Sequence, residues 1–179
     1  MNKRNGLTNQ EFHDVTKDAI ETALIFLMKE KSYSGISVMD ICKKAGVSRT
    51  FFYKYYTSKD DIIRDIIIEM NDVFKSLAVD HDAIADKLGF VLMELTKKRF
   101  EYNKVFMLLG TGQSDVVLRC VNSIADEAIK DDYDFLQLVY FFSGAICNLL
   151  SLWAKNGMRE TPEEIGRLVQ KLLVTEQKT

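Results

Sequence analysis

Residues 37–59 read SVMDICKKAGVSRTFFYKYYTSK, and this stretch decides how the N-terminal part of the chain folds. Ser37 and Ser48 each stand where a helix N-cap is expected, and Asp40 completes a capping box with Ser37. Gly46 follows the first helical pattern, and glycine adopts the left-handed conformation that ends a helix at little cost. The spacing therefore predicts two short helices joined by a sharp turn, a helix-turn-helix.

The second helix of this pair is predicted from Arg49 to about Tyr55. At about 100° per residue, Phe52 and Tyr56 point the same way, toward a core. The other positions carry cationic, hydroxyl and aromatic side chains, which suit DNA: Tyr and Lys reach phosphates, Arg bonds guanine edges, and Thr and Phe contact thymine methyls. These outward residues are Arg49, Thr50, Phe51, Tyr53, Lys54 and Tyr55.

The starts of two helices extend the predicted DNA contact. Free amides and a positive dipole end are expected at Ser37 and at Lys59, and both features bind phosphate. For Phe51 two roles remain open, contact with a base or packing against Tyr55. The full predicted DNA-binding set is Ser37, Ser48, Arg49, Thr50, Phe51, Tyr53, Lys54, Tyr55 and Lys59.

Helical periodicity continues on both sides of this stretch. Thr8 and Glu11 form a capping box for a first helix that runs to about Lys31. The chain has one proline and nine glycines, few helix breakers for its 179 residues. We therefore predict an all-α fold of about nine helices, with later helices over 59–77, 83–102, 104–109, 114–130, 134–155 and 162–174.

Composition excludes several classes of protein. Apolar residues make up 47% and charged residues 28%, so the chain is expected to fold rather than remain disordered. Its three cysteines are widely spaced and it has two histidines, which predicts reduced thiols and no metal site. No nucleotide-binding, hydrolase or metalloprotease motif is present. We expect no enzymatic activity and no cofactor.

Charge is distributed unevenly along the chain. Residues 1–60 carry a net charge of +3, and residues 61–179 carry −5. This asymmetry predicts a basic DNA-binding domain over 1–60 and an acidic helical domain over 61–179, with the boundary inside a helix.

Residues 135–154 carry no charge and are about long enough to span a membrane. A polar stripe on one helical face argues against lipid and favours a buried helix in a bundle or a subunit interface. We therefore expect no membrane partner. Small residues in the stripe would let two copies of this helix cross closely, although a solvent-facing stripe is the alternative. The candidate dimer residues are Gln137, Gly144, Asn148 and Ser151.

Residues 36–62 resemble the DNA-binding head of the TetR/AcrR family of transcriptional regulators, chiefly in AGVSR (45–49), FYKYY (52–56) and SKDD (58–61). The resemblance implies a homodimer with one recognition helix of each subunit in a major groove. It also implies a C-terminal helical domain that binds a ligand and dimerises through its last two helices. Thr50 and Phe51 depart from the family's usual small residue and threonine, so the operator sequence is not predicted.

Apolar and aromatic residues of the C-terminal domain are candidates for an effector pocket, because such pockets are apolar. Plain core packing is the alternative for each of them. The candidates are Phe90, Met93, Phe100, Phe106, Met107, Phe141, Phe142 and Trp153.

Together with what the resemblance implies, these features lead us to expect a cytoplasmic, dimeric repressor that a small-molecule effector releases from double-stranded operator DNA. Two alternatives stay open within the same class, a transcriptional activator and a regulator controlled by a protein partner. A more distant alternative is a helical interaction or carrier protein whose helix-turn-helix is vestigial.

Overall fold

A computed structural model describes residues 8–68, 96–97 and 103–173. These residues form eight α-helices and one 3-10 turn (Tyr33–Gly35), with no strand among them, so the all-α prediction is confirmed. The helices are α1 (Asn9–Glu30), α2 (Val38–Ala45), α3 (Arg49–Phe52), α4 (Lys59–Ile68), α5 (Asn103–Leu109), α6 (Ser114–Ala128), α7 (Tyr133–Lys155) and α8 (Pro162–Leu173). The helix predicted over 83–102 lies almost wholly outside the described residues.

The chain divides into two compact units, Met1–Asp65 and Ile66–Thr179. The division falls inside α4, a few residues after the boundary that we placed at residue 60. The assignment of separate functions to the two domains stays a prediction.

In the first unit, local capping signals set the helices and apolar faces pack them together. The Glu11 amide donates to Thr8 Oγ1 (3.2 Å), and the Thr8 amide donates to Glu11 Oε2 (2.8 Å), which confirms the capping box of α1. α1 packs against α2, and α2 against α3. Their fully buried side chains include Leu24, Ile41 and Phe52.

α3 is shorter than the sequence predicts, because it ends at Phe52 instead of Tyr55. The Lys54 amide donates to the Phe51 carbonyl (3.1 Å) and the Tyr55 amide to the Phe52 carbonyl (2.9 Å). These tighter three-residue hydrogen bonds replace the α-helical pattern at the end of the helix. Residues 53–55 are therefore a turn that follows the helix.

In the second unit, α7 packs against both α5 and α6. Its buried side includes Leu150 and Trp153, and the Trp153 Nε1–H donates to the Glu160 carbonyl (3.1 Å). Among the described residues, α7 is long and apolar enough to cross a membrane by length and composition. Only a minority of its most apolar segment is buried within the chain.

The buried side of α7 corrects one of the predicted dimer residues. Ser151 is buried, and its hydroxyl donates to the Leu109 carbonyl on α5 (2.9 Å). It therefore packs inside its own subunit, while the next residue, Leu152, is exposed. Gln137 and Asn148 are exposed in the single chain and Gly144 is half-buried, so their place in a dimer interface stays a prediction.

Candidate nucleic-acid interface

The first helix of the helix-turn-helix starts at a complete capping box. The Asp40 amide donates to Ser37 Oγ (3.2 Å), and Asp40 Oδ2 accepts from the Ser37 amide and from Lys31 Nζ (both 2.9 Å). These donors hold the pKa of the Asp40 carboxyl well below its ordinary value. The hydroxyl of Ser37 is thus already engaged within the chain, although its backbone lies on an exposed surface.

The turn between α2 and α3 is formed by Gly46, whose φ of 69° lies in the left-handed region. The Val47 amide donates to the Cys42 carbonyl (3.0 Å), which closes the end of α2. Cys42 itself is buried, and burial raises the pKa of its thiol, as expected for an unreactive core cysteine.

The inner side of the recognition segment is anchored by two aromatic residues. Phe52 is completely buried and Tyr56 nearly so, as the periodicity predicts. The Tyr56 hydroxyl donates to Glu21 Oε1 (2.7 Å) and lies 3.3 Å from Asp65 Oδ2, and Lys17 Nζ pairs with the same Asp65 oxygen (2.9 Å). This network joins α1, the end of the recognition segment and α4.

Burial and the neighbouring Glu21 carboxylate raise the pKa of the Tyr56 phenol far above its ordinary value. Tyr56 therefore stays protonated and remains a hydrogen-bond donor throughout the ordinary pH range. The sequence pattern placed Tyr56 in the core but did not identify Glu21 as its partner, because the two residues are 35 positions apart.

The outer side of the recognition segment is exposed and carries the predicted cations. Arg49, Thr50, Tyr53 and Lys54 are all exposed, and Ser48 caps the helix by accepting the Phe51 amide (3.1 Å). The guanidinium carbon of Arg49 lies 6.0 Å from the centre of the Tyr53 ring. Two cations, a hydroxyl and a phenol thus share one accessible surface, which can offer donors to phosphates and base edges.

Phe51 is half-buried in an aromatic cluster that consists of Phe12, His13, Phe51 and Tyr55. Its ring meets Phe12 edge to face with centroids 5.8 Å apart, and it lies 6.4 Å from the Tyr55 ring. The His13 and Tyr55 rings are 4.6 Å apart. The structure thus supplies the packing role for Phe51, and base contact by this residue stays a prediction. Phe12 and His13 were missed, because nothing local links them to α3.

Lys59 lies at the start of α4 as predicted, but its side chain is bonded within the first unit. Its Nζ donates to the carbonyls of Tyr33 (2.6 Å) and Ile36 (2.9 Å) and lies 4.3 Å from the centre of the Tyr33 ring. The ammonium group is therefore directed into the first unit, where it holds the 3-10 turn against the start of α4. A phosphate contact through this side chain does not fit these bonds.

A carboxylate of the chain itself lies at the start of α4. Asp61 Oδ2 accepts the amides of Thr57 and Ser58 (both 2.9 Å), and the Thr57 hydroxyl also donates to it. Hydrogen bonding from Thr57 lowers the pKa of the Asp61 carboxyl. Its negative charge disfavours a phosphate close to these two amides, and a phosphate contact at the amide of Lys59 stays a prediction.

The predicted pocket residues do not share one environment. Phe106 and Trp153 are buried and meet edge to face with centroids 5.8 Å apart, which is core packing. Phe141 is 68% exposed and therefore lies on the outer surface instead of lining a closed pocket, while Phe142 and Met107 are half-buried. The remaining candidates, Phe90, Met93 and Phe100, lie outside the described residues.

Comparison with known families assigns both parts of the chain. Residues 22–66 match the family described as bacterial regulatory proteins of the tetR family, and residues 113–175 match a transcriptional regulator C-terminal region. Together the two matches cover more than half of the chain. The chain belongs to the tetR family of transcriptional regulators.

Individual relatives of this TetR-family chain are distant. An uncharacterized HTH-type transcriptional regulator, YxbF of Bacillus subtilis (strain 168), is 25% identical over 86% of this chain and 43% of its own length. The chain thus spans less than half of that relative. A solved structure assigned to the TetR family from Syntrophomonas wolfei has 15% identity and a TM-score of 0.60, covering 91% of this chain and 95% of its own.

A second solved structure is the fatty acid degradation regulator FadR from Bacillus halodurans. It has 16% identity and a TM-score of 0.55, and the match covers 91% of this chain and 96% of that one. At these identities the two structures show a shared fold.

Proposed function

We propose that this TetR-family protein is a homodimeric repressor that binds operator DNA through α3 and the turn after it, and that a small-molecule effector releases it. The observation that carries the DNA-binding part is the two-sided recognition segment. Phe52 and Tyr56 are buried on one side, while Arg49, Tyr53 and Lys54 are exposed on the other. A short helix anchored on its inner side, with cations and a phenol on its outer side, fits a major groove.

The exposed residues divide into base-reading and phosphate-binding groups by their chemistry. A guanidinium such as that of Arg49 bonds guanine edges with two hydrogen bonds, so it carries sequence preference. Lys54 and Tyr53 offer an ammonium group and a phenol hydroxyl, donors of the kind that bind phosphate oxygens and add affinity for any sequence. Because phosphate contacts release counterions, operator binding is expected to weaken steeply with salt.

The partner proposed for α7 is a second copy of the chain. Its exposed side carries Leu138, Phe141 and Leu152 at helical spacing, together with the polar Gln137 and Asn148. Apolar side chains at such positions gain about 25 cal/mol per Å² when a partner covers them. A two-fold dimer would place two recognition segments on half-sites about 34–36 Å apart.

The effector part of the proposal depends on the second unit. An effector releases DNA only if it binds the DNA-free state more tightly than the DNA-bound state, whatever its chemical class. Phe142 and Met107, both half-buried, remain candidates for contact with an apolar effector. Phe106 and Trp153 are buried, so they could contact such a ligand only if it entered the core.

The deciding experiment is selection of bound sequences from a random duplex pool at near-physiological salt. A palindromic consensus is expected for a dimeric regulator. The test variant replaces Arg49, Tyr53, Lys54 and Tyr55 with alanine, which is expected to abolish enrichment while the protein stays folded. A carrier protein with a vestigial helix-turn-helix would show no enrichment in either form.

Reporter expression with and without the protein then separates a repressor from an activator.

A further inference from the structure

The recognition segment has little internal support. α3 comprises only Arg49–Phe52, and Lys54 and Tyr55 lie in the turn beyond it. A single helical turn is unstable on its own, because nucleation costs more than one hydrogen bond returns. The anchors Phe52 and Tyr56 hold the inner side. The orientation of the exposed Lys54 and the half-buried Tyr55 must therefore be set by contacts with another element.

The first turn of α1 supplies such contacts. Phe12 meets the Phe51 ring edge to face at 5.8 Å, and Lys54 Nζ lies over the same Phe51 ring, 4.6 Å from its centre. His13 adds a second contact, with its ring 4.6 Å from that of Tyr55. Aromatic pairs of this geometry and an ammonium group over a ring are each attractive beyond simple burial.

The position of Phe12 is itself well defined. Its amide donates to the Thr8 carbonyl (2.9 Å), directly after the Thr8–Glu11 capping box. Phe12 thus lies in an ordered first turn of a helix that is buried farther along. A rigid element therefore presents its ring to Phe51.

Direct DNA contact does not explain Phe12 as well as positioning does. The carboxylates of Glu11 and Asp14 lie on the same first turns of α1, and both side chains are exposed. Negative charge on these turns disfavours a phosphate backbone close to them. The cations of the surface lie on the recognition segment instead.

We infer that Phe12 is a positioning residue for DNA recognition: by packing on Phe51 it holds Lys54 and Tyr55 in the orientation that meets the operator. This inference rests on the proposed DNA-binding function. If it is correct, α1 contributes to operator affinity through Phe12, although Phe12 does not contact the DNA.

The first test compares operator affinity for the full-length wild type, Phe12→Ala and Phe12→Tyr by fluorescence anisotropy. Phe12→Ala is expected to bind the operator about tenfold more weakly. A loss of this size is typical when the interaction between two contacting residues is removed. Phe12→Tyr keeps the ring and is expected to bind as the wild type does. The matched control is Phe26→Ala, on the same helix and of similar exposure (42%, against 48% for Phe12), which should leave affinity unchanged.

A double-mutant cycle distinguishes positioning from a separate contact. If Phe12 acts by holding Lys54 and Tyr55, adding Phe12→Ala to the double variant Lys54→Ala, Tyr55→Ala should weaken binding by less than twofold beyond that double variant alone. Fully multiplicative losses, or wild-type affinity for Phe12→Ala, would overturn the inference while leaving the proposed function intact. Absence of operator binding by the wild type would overturn both.

Discussion

The ammonium group of Lys59 donates to the carbonyls of Tyr33 and Ile36 and lies over the Tyr33 ring. Charged hydrogen bonds of this kind contribute about 1.5–3 kcal/mol each, less where water still reaches the group. Lys59→Ala is therefore expected to destabilise the first unit by about 1–2 kcal/mol, measured by urea denaturation. Lys54→Ala is the control, because its exposed side chain should affect DNA binding without affecting stability. Unchanged stability of Lys59→Ala together with lost binding would instead indicate a direct phosphate contact.

The buried Glu21 carboxylate gives a second prediction. Tyr56→Phe removes the hydroxyl that donates to Glu21 at 2.7 Å, and the loss of a hydrogen bond to a buried carboxylate costs about 1–3 kcal/mol. The variant is expected to unfold at a correspondingly lower urea concentration. Tyr140→Phe is the matched control, because its hydroxyl bonds Asp126 on an exposed surface and should contribute little.

Adding Glu21→Leu to Tyr56→Phe tests the cause of that loss. Replacing a buried polar pair by apolar side chains is often neutral, so the double variant should recover most of the stability. If it does not, the Tyr56 hydroxyl contributes through Asp65 or through packing more than through Glu21.

Among the elements, the helix-turn-helix depends on the backbone of Gly46. Its φ of 69° is unfavourable for any residue with a side chain. There is nevertheless space for one, because no atom lies within 4 Å of the position that a Cβ would take. Gly46→Ala should therefore lower the free energy of unfolding only by the cost of the left-handed backbone conformation, about 1–2 kcal/mol. Gly35→Ala, without a positive φ and with Ser32 Oγ at 3.5 Å, is expected to have a smaller effect in the same thermal denaturation assay. Equal losses for both variants would contradict this explanation of the turn.

The start of α4 should respond to acid through Asp61. Hydrogen bonds from Thr57 and Ser58 lower its pKa below the ordinary value of 3.8. A carboxyl with a depressed folded pKa contributes stability that is complete above the unfolded value and is lost as pH falls through the folded value. The stability difference between wild type and Asp61→Asn should therefore be greatest above pH 5 and shrink below pH 3.8. Urea denaturation at several pH values measures it, and a constant difference would contradict the expectation.

For the molecule as a whole, the exposed side of α7 predicts the assembly. Phe141 is 68% exposed in the single chain, so Phe141→Glu should leave the subunit folded. If this surface is the dimer interface, burying a carboxylate there is prohibitive, and the variant is expected to be monomeric and to lose operator binding. Light scattering on a sizing column measures the mass. Phe26→Glu, on α1, is the control and should remain dimeric.

Much of the fold could be predicted from residues that are neighbours in the chain. The capping boxes at Thr8 and Ser37, the cap at Ser48 and the glycine turn at 46 all act within three or four residues, and each is found as expected. Helical periodicity likewise placed Phe52 and Tyr56 inside. Capping bonds and side-chain spacing depend on residues that are close in sequence, so they can be predicted without knowing how distant segments pack.

The uses of individual polar and aromatic side chains needed the folded chain. Lys59 reaches carbonyls 23 and 26 residues earlier, and Phe12 meets Phe51 across two elements. Ser151 and Leu152 are adjacent in sequence, yet only their packing against α5 shows which one faces inward. Periodicity defines a face of a helix without saying which neighbour covers it. Contacts between distant segments depend on how the helices pack, and that packing assigns these side chains their partners.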